Sequence, residues 1–344
     1  MPACETTYRS PPRPAMRAST DAPRAVALGS QPMVEPWEFR SFQGELVTTP
    51  THRLHMTLPP GRLREEVPSF MESAVGHYRS MITGADGGDM LPPAPERLEV
   101  FLFGEREEWA DWTRWRLGRD ARLYLKIELG GYTIDSESVL FDIGRVDTLC
   151  LLAHEGWHQY TQGLFKHPLP VWLEEGLATY AEGHRFRRSD ERPQFMPWRN
   201  LERYWQLRIA RREGRLIPIE RLLEDRPQTF MARSESMLLT YYAQVWVLTH
   251  YLMEGQDGEY REGLAKLVRD AAEGHITSTL YDSQKSAGRR GQQSHDSVSD
   301  AFIAAYFDPD PIRFKQGYND FLDKVLASGS GMFVWRGVSP VIRE

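Results

Sequence analysis

The order of the predicted elements indicates an α+β fold, with a small mixed sheet and helices first and a mainly helical part after it. Residues 46–58 and 98–103 have the apolar pattern of strands, and the stretch from Tyr132 to Phe141 shares it. From residue 147 onward, the apolar spacing is that of helices. Strands grouped ahead of helices, rather than alternating with them, are typical of α+β proteins.

Composition excludes several classes of protein. The 344 residues are enough for one large or two medium domains, and a net charge of −6 offers no basic field for nucleic acid. Two cysteines, Cys4 and Cys150, exclude a disulfide framework and a cysteine-rich metal site. No apolar run is long enough for a transmembrane segment. Oligomeric state is not indicated by any feature of the sequence.

The first 35 residues are predicted to be a disordered leader, because they are rich in proline and lack hydrophobic periodicity. Residues 1–14 have no apolar central region, so no signal peptide is expected there. Ala3-Cys4 is compatible with the end of a bacterial lipoprotein signal that starts upstream, which leaves export and a lipid anchor at Cys4 open. A stray cysteine is the simpler interpretation.

The elements divide the chain into predicted segments. Ordered structure is expected to begin near Trp37, and a turn is expected at Gly130-Gly131 with a strand over 124–127 before it. Helices are predicted over 62–83, 105–117, 147–162, 171–184, 197–213, 236–254, 258–273, 299–307 and 311–327. The resulting segments are the leader (1–35), an N-terminal α/β subdomain with an edge strand (36–145), a helical subdomain (146–275), a flexible loop (276–298), and C-terminal helices and tail (299–344).

One helix carries a pattern that suits a metal site. His154 and His158 are four residues apart, so their side chains project from one face and can hold one zinc ion. Glu155 flanks the metal without binding it, which is where a general base for a water molecule is needed. Asp147 is the expected N-cap of this helix, and Gly163 the expected C-cap.

The alternative for this pattern is an amphipathic helix with exposed histidines and a solvated Glu155. Two features count against it. Leucines precede the motif and Trp157 lies within it, and burying polar groups without a partner is costly. Gly156 costs about 1 kcal/mol relative to alanine inside a helix, so a packing reason for it is expected.

A third ligand is expected from the next helix, which Pro170 is suited to begin. Glu175 on that helix can fold back to complete a site of two histidines and one glutamate with one open position. Glu182 and His167 are weaker substitutes. A solvated carboxylate at the start of a helix is the alternative role of Glu175.

These residues resemble a known family. His-Glu-x-x-His followed by Trp172-Leu-Glu-Glu175-Gly-Leu-Ala is similar to the gluzincin zinc metallopeptidases, the thermolysin-like clan. The aminopeptidase N catalytic domain and bacterial peptidase MA-like domains are the nearest in pattern. The resemblance implies a thermolysin-like zincin subdomain in which Glu175 is the third zinc ligand. Glu174 would then face away, and Thr179 is a candidate for orienting a ligand histidine.

The same resemblance extends to a tyrosine and a strand. Tyr242-Ala-Gln-Val lies where aminopeptidase N relatives have Tyr-x-Lys-Gly, whose tyrosine stabilises the oxyanion. Tyr241 is a second candidate for this role, and a core aromatic is the alternative for both. The strand from Gly131 to Phe141 would lie beside the active helix and bind extended peptide. The Gly-x-Met-Glu-Asn exopeptidase signature is absent.

The predicted function is therefore that of a zinc-dependent metallopeptidase. It would hydrolyse a peptide or protein substrate through a metal-activated water, with His154, His158 and Glu175 as metal ligands, and Glu155 and Tyr242 as catalytic residues. A non-catalytic zincin-fold binding or scaffold protein, and a metal-free helical domain, are the alternatives. Six arginines between residues 199 and 215 form either a site for an anionic surface or a solvated helix face.

Overall fold

The computed structural model describes residues 32–82, 91–128, 130–186, 192–289 and 297–341. Its strands are β1 (Met33–Phe39), β2 (Phe42–Thr48), β3 (His52–Met56), β4 (Leu98–Phe103), β5 (Gly131–Ile134), β6 (Glu137–Phe141), β7 (His184–Phe186) and β8 (Pro193–Phe195). Its helices are α1 (Arg62–Ser80), α2 (Arg106–Leu117), α3 (Ala121–Tyr124), α4 (Arg145–Leu164), α5 (Val171–Ala181), α6 (Leu201–Arg212), α7 (Ile219–Glu224), α8 (Pro227–Met231), α9 (Glu235–Glu254), α10 (Arg261–Glu273), α11 (Ile276–Arg289), α12 (Val298–Tyr306), α13 (Pro311–Val325) and α14 (Ser330–Arg336). A mixed sheet near the start of the chain and mostly helices after it confirm the α+β class.

Six strands form one mixed sheet in the order β1-β2-β3-β4-β6-β5. The β3–β4 and β4–β6 pairs are parallel, and the remaining pairs are antiparallel. Parallel pairing requires crossover connections, which α1 supplies between β3 and β4. Strand β5 lies at the edge of the sheet, beside β6.

Helices cover both faces of the sheet, which explains the apolar run over residues 100–103 of the central strand β4. On one face, Val100 and Leu102 of β4 share a core with α1 and α4. On the other face, Phe101 and Phe103 pack with Trp109 and Trp112 of α2. Helix α4 therefore has one side fixed against the sheet, and this side includes Leu149, Leu152 and Ala153.

The helical part is organised around α9, a helix that is buried along most of its length. Ser234 begins α9 as an N-cap, because its hydroxyl accepts a hydrogen bond from the Met237 backbone N–H. Trp246 and Tyr251 of α9 are fully buried in the same core as Leu173 of α5 and Tyr204 of α6. Helix α9 thus supports the two helices that follow α4.

Several predicted boundaries in the N-terminal part were wrong. The strand predicted over 46–58 is two strands, β2 and β3, separated by a turn around Pro50. Residues 33–35, assigned to the leader, belong to β1, and residues 1–31 lie outside the described part. The strand predicted over 124–127 is instead the end of a short helical segment, where the Leu125 N–H bonds to Ala121.

The hairpin turn and the ends of α4 also differ from prediction. The β5–β6 turn lies at Asp135 and Ser136, whose φ values of 51° and 61° suit a tight two-residue hairpin. Asp-Ser lacks the glycine that normally marks such a turn, so no signal in the sequence indicated a turn at this position. Helix α4 begins after Gly144 (φ 104°), which places Asp147 in the first turn rather than at the cap. The helix also continues past Gly163, to Leu164.

The segment 276–298 was expected to be a flexible loop, but residues 276–289 form α11. Its polar sequence hides a narrow apolar stripe, in which buried Ile276 and partly buried Leu280 join the helical core. Residues 290–296 lie outside the described part. Helices α7, α8 and α14 were not predicted, because each spans only five to seven residues.

Gly156 has the packing reason that its position in mid-helix predicted. A Cβ at this residue would lie 2.6 Å from the Tyr78 hydroxyl of α1. That hydroxyl donates a 2.7 Å hydrogen bond to the Ala153 carbonyl of α4. The two helices therefore approach each other at the turn of α4 that carries His154 and Glu155.

Candidate metal centre

Helix α4 presents the first two residues of the site. His154 and Glu155 are buried, with about a tenth of each exposed (8% for both), and His158 is half-buried one turn later. Because the sheet side of α4 is occupied by leucines, the histidine pair is directed away from the sheet. Side chains four residues apart share a helix face, so both imidazoles reach the same place.

Helix α5 brings Glu175 to the two histidines. Gly176 lets α5 approach α9 closely, since a Cβ there would lie 2.4 Å from the Thr249 hydroxyl and 3.1 Å from the Val245 carbonyl. Without this close contact, α5 would have to move away from α9. The glycine that follows Glu175 therefore helps to fix the position of the carboxylate.

Three ligand atoms meet at nearly equal distances. His154 Nε2 and His158 Nε2 are 3.3 Å apart, and Glu175 Oε2 lies 3.4 Å from the first and 3.5 Å from the second. In a tetrahedral zinc site with bonds of about 2.0–2.1 Å, neighbouring ligand atoms are about 3.3–3.4 Å apart. His154, His158 and Glu175 thus outline one face of such a tetrahedron.

The outer nitrogens of both imidazoles have carboxylate partners. His154 Nδ1 lies 2.9 Å from Glu182 Oε1, and His158 Nδ1 lies 3.0 Å from Glu174 Oε1. A carboxylate at Nδ1 keeps a proton on that nitrogen, so a metal ion that displaced the Nε2 proton would meet a lone pair pointing inward on each ring. Glu175 Oε2, which faces both nitrogens, is buried and has no hydrogen-bond donor among the described residues. Three converging acceptors fit a cation.

Electrostatics at the site agree with this fit. Burial lowers the pKa of His154, but the carboxylates of Glu175 and Glu182 outweigh burial and raise the pKa to about 9. Burial also lowers the pKa of His158, but the carboxylates of Glu175 and Glu174 outweigh burial and raise that pKa. Burial raises the pKa of Glu175, yet the two histidines bring it well below its usual range. The cluster therefore favours positive charge between its ligand atoms.

Glu182 belongs to a buried network behind His154. It accepts hydrogen bonds from Asn200 Nδ2 at 2.6 Å and from Arg203 Nη2 at 2.8 Å, and both partners come from α6 or its N-cap. Burial raises the pKa of Glu182, but Arg203 and His154 lower it to about 2. Glu182 is therefore an ionised acceptor that holds one ligand ring in place.

The supporting residues differ from those expected from sequence. Glu174 was predicted to face away, but it bonds to His158 and accepts a 2.7 Å hydrogen bond from the Thr161 hydroxyl. Thr179 was a candidate for orienting a histidine, but its hydroxyl bonds to the Glu175 and Gly176 carbonyls of its own helix. His167, a weaker ligand candidate, lies beside Gly274 at the end of α10.

The structure places Glu155 next to the edge strand. Its Oε2 accepts a 2.8 Å hydrogen bond from the Thr133 hydroxyl of β5, and Thr133 Oγ1 lies 3.0 Å from Ser138 Oγ of β6. The same two hydroxyls lie 3.1 Å and 3.3 Å from the Glu155 carbonyl oxygen. Strands β5 and β6 thus fix both the backbone and the side chain of Glu155, and nothing in the sequence pattern indicated these hydroxyls.

Tyr242 is the tyrosine of α9 that faces the site. Its ring meets the His154 ring edge-on with centroids 5.8 Å apart, and the Arg203 guanidinium lies 5.3 Å from its centroid. Burial, followed by the charge of Glu175, raises the pKa of Tyr242 well above its ordinary value, so the phenol keeps its proton. Tyr241, in contrast, is fully buried and stacks on Phe230.

We expect Glu182→Gln to weaken zinc binding by about 10–100-fold, because His154 would lose the ionised carboxylate that accepts a hydrogen bond from its Nδ1. The measurement is zinc competition against a chromophoric chelator, with an unchanged circular dichroism spectrum as the check on folding. Glu202→Gln, at an exposed position of α6, is the matched control and should bind zinc as the wild type does. Equal affinity in all three proteins would contradict a supporting role for Glu182.

A family described as "Protein of unknown function (DUF1570)" matches residues 148–273. The matched stretch contains all five of the predicted site residues, which are His154, Glu155, His158, Glu175 and Tyr242. No curated protein matches the chain. Within the described residues, no helix combines the length and the apolar character that crossing a bilayer requires.

Proposed function

We propose that the chain is a zinc-dependent metallopeptidase of the gluzincin type. The observation that carries the proposal is the convergence of His154 Nε2, His158 Nε2 and Glu175 Oε2 at 3.3–3.5 Å from one another. His154, His158 and Glu175 would hold the ion. When bound, zinc lowers the pKa of a coordinated water and polarises a carbonyl oxygen.

The residues around the ligands suit peptide hydrolysis. Glu155 is the general base that accepts a proton from the attacking water and later donates it to the departing amine. The Thr133 hydroxyl, 2.8 Å from Glu155 Oε2, holds the carboxylate in one orientation. Tyr242 keeps its phenolic proton and donates a hydrogen bond to the oxyanion that forms at the scissile carbonyl.

A peptide substrate is favoured over other hydrolysable substrates by the position of β5. Among the described residues, β5 pairs only with β6, so its other edge offers backbone N–H and C=O groups. Extended peptides bind such edges as an additional strand. Because Thr133 of β5 contacts Glu155, a peptide on this edge would pass beside the general base.

The test of this function is a peptide library digested by the full chain and analysed by mass spectrometry. We expect cleavage by the zinc-loaded protein, loss of cleavage after chelation, and recovery on adding zinc. A chain that binds zinc and peptides but leaves every peptide intact would be the non-catalytic binding protein instead. A chain that binds no zinc under metal-replete conditions would refute both functions.

We expect Tyr242→Phe to lower kcat about 100–1000-fold with KM and zinc content little changed, because the substitution removes one donor to the oxyanion. Tyr241→Phe is the matched control, since Tyr241 is fully buried and stacks on Phe230. The measurement is steady-state kinetics on the best peptide from the library. Equal rates for the two variants would remove Tyr242 from the mechanism.

A further inference from the structure

An exposed apolar surface lies where α14 packs on α6, away from the metal centre. Helix α14 buries Val334 and Ser330 and leaves Met332 and Trp335 outside, with 60% and 58% of each exposed. These two residues are three apart and therefore share a helix face. Trp205 of α6 is 54% exposed. The tryptophan face, as we name it, consists of Trp205, Met332 and Trp335 with Arg199, Arg208 and Arg336.

The two tryptophans belong to one continuous surface because α6 and α14 touch. A Cβ at Gly331 would lie 3.2 Å from the ring of Tyr204, which is fully buried beneath α14. The Trp205 ring follows in α6, with its centroid 5.5 Å from that of Tyr204. On the α14 side, Arg199 donates a hydrogen bond to the Trp335 carbonyl. Contacts of this kind hold the exposed aromatic rings on a rigid base.

The charge of the tryptophan face is positive although the chain is acidic, with a net charge of −6. The Arg199 guanidinium lies 5.6 Å from the Trp335 ring centroid, and that of Arg208 lies 5.8 Å from the Trp205 centroid. Neither arginine, nor Arg336, has a carboxylate partner among the residues that the structure describes.

Other arginines of α6 and its C-terminal side do have such partners. Arg211 pairs with Asp323 at 2.7 Å, and Arg215 pairs with Glu213 at 2.7 Å. Paired charges of this kind are typical of a solvated surface and contribute little attraction for an anion. The three arginines of the tryptophan face differ from them, because no carboxylate in the described part of the chain pairs with them.

We propose that the tryptophan face binds the surface of an anionic lipid bilayer. Tryptophan is suited to the boundary between headgroups and acyl chains, and arginine binds phosphate oxygens with a fixed fork of donors. Met332 would insert with the indoles, and Arg199, Arg208 and Arg336 would contact the headgroups. An apolar surface bordered by cations is the pattern of proteins that lie on membranes without crossing them.

The geometry of the arginines favours lipid over nucleic acid. Nucleic-acid bases bind exposed aromatic rings by stacking on their faces. Here a guanidinium lies over each tryptophan ring, so one face of each indole is already covered. The apolar side chain of Met332, on the same helix face as Trp335, also suits acyl chains better than bases.

Binding at this face would leave the metal centre accessible. Arg203 of α6 points to Glu182, whereas Trp205 comes two residues later, on the opposite side of the helix. The face and the site therefore lie on different sides of α6. The proposal does not depend on catalysis and holds whether or not the metal centre cleaves peptides.

The test is sedimentation of the full chain with vesicles of phosphatidylcholine containing about one third phosphatidylserine. We expect binding that weakens as salt is added, with little binding to phosphatidylcholine alone. The double variant Trp205→Ser/Trp335→Ser should lose binding. Arg208→Gln/Arg336→Gln should bind about 30-fold more weakly, since each arginine near the surface contributes about a fivefold gain.

Tyr281→Ser is the matched control, because Tyr281 is equally exposed (63%) and also has a cation, Lys285, over its ring. This variant should bind vesicles as the wild type does. Absence of binding to the anionic vesicles at low salt would overturn the proposal, and so would equal binding by the tryptophan variant. If that variant instead abolishes self-association in a chain that ignores vesicles, the face joins two copies and the proposal is wrong.

Discussion

Glu155→Gln is expected to reduce peptide hydrolysis by on the order of 1000-fold while leaving zinc binding intact. The reason is that the amide occupies the same volume but cannot accept a proton, and general-base catalysis contributes about 100–10,000-fold. Glu155 contributes none of the three converging atoms, so the substitution leaves the set of metal ligands unchanged. The measurement combines initial rates on one peptide with zinc content per chain in the same preparation.

The control for this variant is Thr133→Val, which keeps the carboxylate and removes the hydroxyl 2.8 Å from its Oε2. It should lower kcat far less than Glu155→Gln does, because the base remains present and only its orientation is loosened. Both variants should unfold at a temperature close to that of the wild type. Full activity of Glu155→Gln would refute the assignment of the general base.

Glu175→Ala is expected to abolish stoichiometric zinc binding. Two neutral imidazoles would remain, without the carboxylate that completes the ligand face and supplies its negative charge. The loss of affinity should be well beyond the roughly 10–100-fold that loss of a supporting partner causes. Zinc per chain after dialysis against a weak chelator is the quantity to measure.

The neighbouring residue provides a matched control. Glu174 lies 3.0 Å from His158 Nδ1, on the outer side of the ring, so Glu174→Ala should weaken zinc binding without abolishing it. The two variants differ in charge from the wild type by the same amount and alter adjacent positions of α5. If Glu174→Ala loses zinc and Glu175→Ala keeps it, the ligand assignment is reversed.

The spacing of apolar residues predicted helix α4. The four-residue separation of His154 and His158 predicted that they share one face of it, because spacing along a helix determines which side chains lie together. Glu175 was predicted from a motif, and the structure places it with His154 and His158. Spacing alone could not have done this, since the path between α4 and α5 decides which residue folds back. Gly176, which brings α5 against α9, is the local signal for that path.

The supporting residues could not be predicted in the same way. Glu182, Asn200 and Arg203 meet behind His154 only after α5 has ended and α6 has packed beside it. Such contacts depend on how separate helices pack together, and this packing produces no repeating pattern of residues along the sequence. The turn at Asp135–Ser136 was missed for a different reason, because its residues are atypical for the backbone conformation they adopt.

We propose that two imidazoles of α4 and one carboxylate of α5 bind a single zinc ion. The most direct measurement is a crystal structure of zinc-replete protein, with anomalous difference maps collected on both sides of the zinc absorption edge. We expect one strong peak within bonding distance of His154 Nε2, His158 Nε2 and a Glu175 carboxylate oxygen. No peak between these atoms, or a peak held by other residues, would contradict the account.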